Sequence, residues 1–285
     1  MRRKVLFLCT HNSARSQMAE GWLRHLGGGR FESRSAGSVA TEVRPEAVAV
    51  MGEVGVDLEG QESKTLDRYL HRPFDLVVTV CDNARDTCPA FPGAAGSLHW
   101  SIADPGNVEG DKEVRLAAFR AARDELRERI AGDLLPRFEE LASSEQHFRK
   151  LERMYLAAPT NEYYRPEIVI DEGRAEIKIG VRPEFFHAAG GVHGSVYFKA
   201  LDDACFFAAS SLVEDVFVLT SQFNIHLTRP VSEGHLEAIG KVKHSSGSSF
   251  LVAGELRDAR GRLLARGEGT FVRGRGKLGP GMGYE

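Results

Sequence analysis

Cys9 and Arg15 stand six positions apart, with Thr10, His11, Asn12, Ser13 and Ala14 between them and Ser16 just after. A thiol and a guanidinium at that distance suit attack on a tetrahedral oxyanion. The planar fork of an arginine clamps two oxygens while the sulfur meets the central atom from below. The small side chains between them leave backbone N–H groups free to line the cradle. Two more cysteines, Cys81 and Cys88, flank residues 82–87. Following an oxyanion loop, they read as a thiol relay: one thiolate attacks an oxidised centre, a second sulfur attacks the first, and a third resolves it.

That chemistry needs a frame, and the flanking sequence supplies one. Val5 to Leu8 is a short apolar run that predicts a buried strand ending at Cys9, and a helical pattern opens at Ser16. The order strand, loop, helix turns the cysteine toward free N–H groups and the positive end of the helix dipole, which favour a thiolate. Gln17 to Leu26 is helical and stops at the glycine triplet 27–29. Phe31 to Ala36 predicts a strand, Pro45 to Val54 a helix, and Thr65 to Leu70 a short helical piece. Phe74 to Val80 is a continuous apolar, β-branched run that predicts a central parallel strand leading to Cys81. A further strand is expected near Ser97–Trp100 and a long amphipathic helix over Glu113–Ile130. Alternating strands and helices imply an α/β domain with a parallel sheet and a ligand site at the strand carboxyl ends. Neighbouring strand ends share that edge, so Cys81 can approach Cys9.

The chain has 285 residues, long for one small domain and suited to two of roughly 140 each. With 42% hydrophobic and 27% charged residues and a net charge of −3, it has the composition of a soluble globular protein and no basic footprint for nucleic acid. No apolar run approaches the ~18 residues of a membrane span. Met1-Arg-Arg-Lys turns straight into the first strand, which does not read as a signal peptide. Four cysteines, three of them in one pattern, imply a reducing cytoplasm and working thiols. No set of residues suggests a metal site. The boundary is expected near residue 142, giving domains 1–142 and 143–285, with Ser143-Ser-Glu-Gln146 as an N-cap box opening a new helix.

Cys9-Thr-His-Asn-Ser-Ala-Arg15-Ser16-Gln-Met-Ala-Glu20 resembles the signature of the low-molecular-weight tyrosine phosphatase fold, and more closely its thioredoxin-coupled arsenate reductase branch. The resemblance covers about residues 3–140. It implies that Cys9 forms a thiol–arsenate adduct, Cys81 displaces arsenite, and Cys88 closes a disulfide that a thioredoxin-type reductant opens. It implies that Asp104, in His99-Trp-Ser-Ile-Ala-Asp104-Pro105, is the general acid of the phosphatase reaction. It also implies that Thr10, His11, Asn12, Ser13, Ala14 and Ser16 surround the oxyanion, with Asn12 and Ser16 shaping the loop. Some reductases carry an extra cysteine where this chain has Ala14. The competing reading is a protein-tyrosine or small-molecule phosphatase, for which Cys81 and Cys88 would be dispensable. Neither requires a tightly bound cofactor.

From Glu167 the texture changes to alternating strands around one apolar helix, Gly194–Leu212, which predicts an α+β domain: an antiparallel sheet around a central helix. Asp258-Ala-Arg-Gly261 reads as a hairpin turn, Cys205 as core, and the glycine-rich tail from Gly274 as mobile. Gly190-Gly-Val-His193-Gly194-Ser195, then Asp202-Asp203, resembles the hotdog-fold acyl-CoA thioesterases of the phenylacetate-pathway type over roughly residues 165–273. The likeness implies that the Gly194 N–H polarises a thioester carbonyl beside His193, that Asp202 (with Asp203 as the alternative) is base or nucleophile, and that His187 contacts the carbonyl or a water. It implies a CoA thioester substrate and a homodimer or tetramer with sites across the interface. Ser195 departs from a usual glycine, and Ser245–Ser249 stands where many relatives carry a basic residue. The alternative is a hotdog domain that binds acyl-CoA and dimerises the chain without catalysis.

Overall fold

The structure, a computed structural model, describes residues 2–82, 91 and 94–285. The chain folds as two compact units, Met1–Glu139 and Glu140–Glu285.

In the first unit the strands are β1 (Arg3–Cys9), β2 (Phe31–Gly37), β3 (Leu76–Thr79) and β4 (Ser97–His99), in the spatial order β2-β1-β3-β4. All pairs are parallel. β1 is central because both of its faces are apolar. Val5 and Phe7 enter one core cluster and Leu6 and Leu8 another, as the two-residue period of a strand requires. Helix α1 (Arg15–Gly27), α2 (Pro45–Gly52) and α3 (Lys112–Arg129) supply the packing partners, with Met18, Trp22, Val50, Met51, Phe119 and Leu126 buried. The parallel register sets Cys9 opposite Gly37, and Leu8 opposite Thr79. β3 stops two residues short of Cys81, although Val80 still donates its N–H to Leu8 O at 2.8 Å. The carboxyl ends of β1, β2, β3 and β4 thus form one edge.

α3 is capped by Asp111, whose side chain accepts from Val114 N at 2.9 Å. A π-turn at Ile130–Leu134 follows, then α4 (Leu135–Leu156). Ser143 therefore lies inside α4, and the expected N-cap box does not open a helix. A cap needs a non-helical residue ahead of it. Here Phe138-Glu-Glu-Leu-Ala142 are sound helix formers with no breaker among them.

In the second unit, α5 (Thr160–Tyr164) precedes β5 (Glu167–Asp171) and β6 (Arg174–Gly180). Helix α6 (Gly194–Ser210) then leads into β7 (Val216–Leu227), β8 (His235–Ser245), β9 (Ser249–Asp258) and β10 (Leu263–Lys277). The sheet is antiparallel with the order β5-β6-β8-β9-β10-β7. Ala200, Leu201, Ala204, Cys205 and Ala208 of α6 are fully buried against it. Two glycines admit the helix. A Cβ on Gly240 would stand 2.4 Å from Ala204 O, and one on Gly254 2.8 Å from Cys205 Sγ. Burial pushes the Cys205 thiol up to about 12, consistent with a core residue. The Asp258–Gly261 turn closes through Gly261 N to Asp258 O at 2.8 Å, with Gly261 at φ +74°.

The tail corrects the expectation of a mobile end from Gly274. β10 runs on to Lys277, and Leu278 N bonds Asp215 O at 3.1 Å. Tyr284 packs on His147 of α4, with its hydroxyl 2.6 Å from Nδ1. An aromatic anchor at the end of a glycine-rich stretch outweighs the freedom of the glycines before it. Among the described residues, no helix is long and apolar enough to cross a membrane, and no group of metal-binding side chains forms a cluster.

Candidate active sites

The loop after β1 is built around Asn12, which is fully buried at φ +47°. That left-handed backbone turns the Asn12 N–H onto Cys9 Sγ at 3.1 Å. The Asn12 side chain then organises its surroundings. Nδ2 donates to Ser16 Oγ and to Ser35 Oγ, both at 2.9 Å, and Oδ1 accepts from Lys64 N at 2.7 Å and Gln17 Nε2 at 3.0 Å. Because Ser16 Oγ accepts from Asn12, its own proton is free for Cys9 Sγ, 2.9 Å away. By the same logic Ser35 donates onward to Glu20 Oε2 at 2.6 Å, and the Lys64 ammonium lies 3.8 Å from that oxygen. The sulfur is thus the end point of two donors held by a buried network.

Gly37 is part of that construction. A Cβ there would stand 2.7 Å from Asn12 N and 2.8 Å from both Thr10 O and Val39 O, all backbone atoms that cannot swing aside. Gly37→Ala is expected to cost about 1–3 kcal/mol of stability by overpacking and to slow alkylation of Cys9 at least about tenfold, as the displaced N–H leaves the sulfur. A denaturant melt and the Cys9 modification rate check both; an unchanged rate would remove the Asn12 N–H from the account.

Ala14 precedes α1 with no side-chain cap, so the first N–H groups of the helix stay open toward the loop. Arg15 is buried. Its Nη1 donates to Ile102 O at 2.9 Å and its Nη2 is ion-paired with Asp104 Oδ2. Asp104 in turn caps the turn Pro105–Asn107 through Gly106 N at 3.0 Å. A buried guanidinium needs such a counter-charge, and the pairing draws the Asp104 loop over the anion loop. His11 is exposed, with its carbonyl accepting from Ser63 Oγ (3.1 Å) and Thr41 Oγ1 (3.3 Å), while Ser13 O accepts from Arg44 N at 2.8 Å.

Cys81 is buried, its Sγ 3.5 Å from Thr10 Oγ1. The residue after it is held firmly. Asp82 accepts from His99 Nε2 at 3.0 Å and from Ser101 Oγ at 2.8 Å, and His99 Nδ1 meets Thr79 Oγ1 at 2.8 Å. Cys88 lies outside the described residues.

In the second unit His193 is the N-cap of α6, its Nδ1 accepting from Ser195 N at 3.1 Å and meeting Ser195 Oγ at 2.8 Å. His187 sits on the same loop, its Nδ1 accepting from Ala189 N at 3.1 Å. Asp202 is eight residues along the helix from Gly194, or about 12 Å along its axis. One chain therefore gathers His187, His193 and Gly194 but does not bring Asp202 to them. Asp202 instead faces a cavity of about 690 Å³, lined among others by Asp203, Lys199, Phe206, Phe217 and Thr220.

The two carboxylates of that cavity differ. Asp203 is paired with Lys199 and accepts from Tyr155 Oη at 2.7 Å, so it is no free surface charge. Among the described residues, Asp202 accepts only a Thr220 hydroxyl, at 3.2 Å. Burial, reinforced by the neighbouring Asp203, pushes Asp202 up to about 6. A carboxylate poised near neutrality with one weak partner is the one of the two suited to proton transfer.

The family model of the low molecular weight phosphotyrosine protein phosphatases matches residues 4–146, half of the chain. The chain belongs to that family. The arsenate reductase of Halalkalibacterium halodurans is 47% identical over 131 residues, 46% of this chain and 94% of that protein. The arsenate reductase of Bacillus subtilis strain 168 is 42% identical with the same coverage. The thioesterase superfamily model matches residues 189–265. Among solved structures, the E. coli PaaI protein from the phenylacetic acid degradation operon is similar at 21% identity and a TM-score of 0.45, over 48% of this chain and 99% of that one. The first unit is thus a low-molecular-weight phosphatase fold and the second, with its six-stranded antiparallel sheet around α6, a hotdog fold.

Within the phosphatase-family unit, the fold unites Cys9, Asn12, Arg15, Ser16 and Asp104, and sets Cys81 beside Thr10. It also recruits residues to which the sequence motif gave no role. Ser35 and Gly37 come from the carboxyl end of β2, and the parallel pairing of β2 with β1 is the signal that could have found them. Glu20, one helical turn past Ser16, was within the motif. Lys64 and Arg44 had no local signal.

Proposed function

We propose that the chain is a fusion of two activities: reduction of arsenate to arsenite in the phosphatase-family half, and hydrolysis of an acyl-CoA thioester in the hotdog half. What supports the first is the Cys81 sulfur standing 3.5 Å from the hydroxyl of Thr10, the residue next to Cys9, at the shared strand edge, with two donors on the Cys9 sulfur. A plain phosphatase has no use for the second thiol.

In this reading arsenate enters the loop against Arg15 and the open N–H groups of α1. The Cys9 thiolate attacks arsenic and a protonated oxygen leaves as water, giving a Cys9–S–As(V) adduct. Asp104, beside Arg15, is the group suited to protonate that oxygen. The Cys81 thiolate then attacks Cys9 Sγ. The S–As pair of electrons passes to arsenic, arsenite departs as As(III), and a Cys9–Cys81 disulfide remains. The Cys88 thiolate attacks Cys81, frees Cys9, and leaves a Cys81–Cys88 disulfide for a thioredoxin-type reductant in a reducing cytoplasm.

For the hotdog half, Gly194 N–H at the start of α6 would polarise the thioester carbonyl and Asp202 would act as base or nucleophile. Their separation along one helix supports a site completed by a second copy, in a homodimer or tetramer.

The deciding test is arsenate turnover with thioredoxin, thioredoxin reductase and NADPH, comparing wild type with Cys88→Ala. Arsenate-dependent NADPH consumption that the substitution abolishes is the expected result. If wild type consumes no NADPH yet hydrolyses p-nitrophenyl phosphate through Cys9, the domain is a phosphatase and the relay is wrong.

A further inference from the structure

Arg44 is the N-cap of α2, and its backbone N–H donates to Ser13 O at 2.8 Å, which ties it to the anion loop. Its side chain reaches across to the Asp104 loop. A Cβ on Gly106 would stand 3.1 Å from Arg44 Nη2, 3.2 Å from Arg44 Cζ and 3.2 Å from Asp104 Oδ1. The guanidinium and the carboxylate thus flank the bare Cα of Gly106, one side-chain swing apart. Arg44 is exposed, and among the described residues no ion pair or hydrogen bond occupies its guanidinium.

Charge explains why a second cation belongs there. A bound tetrahedral oxyanion brings one to two negative charges to a loop that already holds the Cys9 sulfur and, through Arg15, the Asp104 carboxylate. Opposing them are one guanidinium and about half a positive charge at the N-terminus of α1. Arg15 already gives one nitrogen to Ile102 O and another to Asp104. When it turns toward an oxyanion, the Asp104 carboxylate loses part of its counter-charge while a like charge arrives beside it. Among the described residues, the free guanidinium within reach is Arg44, and Gly106 leaves the space in which the two can meet.

We propose that Arg44 is the second cation of the oxyanion site, a positioning residue that takes up Asp104 as Arg15 engages a bound tetrahedral oxyanion. The proposal rests on reading the Cys9 loop as an oxyanion site. It assigns Arg44 to retention of the anion while Asp104 is ionised and adds no chemical step; proton transfer to the leaving oxygen proceeds from Asp104 once it is protonated and released by Arg44.

The probe is inorganic phosphate protecting Cys9 of the full chain from iodoacetamide, with Cys9 followed by peptide mapping. Arg44→Ala is expected to raise the half-protecting phosphate concentration about tenfold at low salt, and the deficit is expected to shrink in high salt, where exposed charges are screened. Arg44→Lys should restore most of the protection, since a mobile point charge can still reach the Asp104 carboxylate. An unchanged half-protecting concentration in Arg44→Ala would overturn the proposal. So would an equal loss in Arg44→Lys and Arg44→Ala that is indifferent to salt, which marks a structural defect. Protection by phosphate needs neither arsenate turnover nor a reductant. Failure of the reductase reading and failure of the Arg44 assignment therefore register in different experiments.

Discussion

Cys9→Ser is expected to lower arsenate-dependent turnover, and hydrolysis of p-nitrophenyl phosphate with it, by at least about 10³-fold. Serine is the strictest substitute available because it keeps the size and the hydrogen bonds of the site. Its oxygen can accept from Asn12 N–H and Ser16 Oγ as the sulfur does. What it lacks is a readily formed anion, and neither an arsenic adduct nor a disulfide can proceed through a neutral hydroxyl. The fold should survive, and phosphate binding, read by calorimetry, should persist because Arg15 and the α1 N-terminus remain. Retained turnover in Cys9→Ser would move the nucleophile elsewhere and sink the mechanism as a whole. The same variant probes the buried network. If Asn12, Ser16, Ser35 and Glu20 exist to aim donors at a sulfur, their hydrogen bonds should tolerate the oxygen with little change in melting temperature.

Asp202→Asn is expected to reduce thioester hydrolysis by about 10²–10⁴-fold, the range general-base help supplies. The pH dependence is more diagnostic. With Asp202 raised to about 6, mainly by burial, the wild-type kcat/KM should climb through that pH and level off above it, since the base works only when ionised. Asparagine removes that limb. The stability effect has the opposite sign. A carboxyl whose folded pKa lies above its unfolded value binds more protons in the native state. Wild-type stability should therefore fall as pH rises from about 4 through 6. Asparagine mimics the protonated form, so the variant should melt higher than wild type near pH 8 and match it near pH 4. Loss of activity with a gain in melting temperature identifies a group kept ionised for function. An Asp202→Asn chain that hydrolyses acyl-CoA like wild type would leave the hotdog half as a binding and dimerising domain.

The elements were largely legible in the chain because each carries a local pattern. Val5–Leu8 and Phe74–Val80 are β-branched or apolar runs of strand length, and Ala200–Leu212 is apolar on nearly every side. The expectations that failed rest on contacts the local pattern does not contain. Ser143 satisfies a capping formula, yet the helix formers before it carry α4 straight through. The tail from Gly274 has the composition of a loose end, but Tyr284 finds His147, 137 positions away in the chain.

The sequence by itself determined the nucleophile loop, since Cys9, Arg15 and Ser16 lie within eight consecutive residues whose strand–loop–helix order already dictates where N–H groups and a thiol must point. It likewise settled the two fold classes, through the change from strand–helix alternation to a strand meander. Only the tertiary structure decided which carboxylate Arg15 holds, since Asp104 lies 89 positions away. It also decided that Gly37 must lack a side chain, that Arg44 stands over Gly106, and that Asp203 is engaged by Lys199 and Tyr155 while Asp202 is left poised. Each of these depends on segments distant in sequence meeting at one strand edge or in one cavity. Periodicity reports which face a residue takes, while packing selects the partner waiting there.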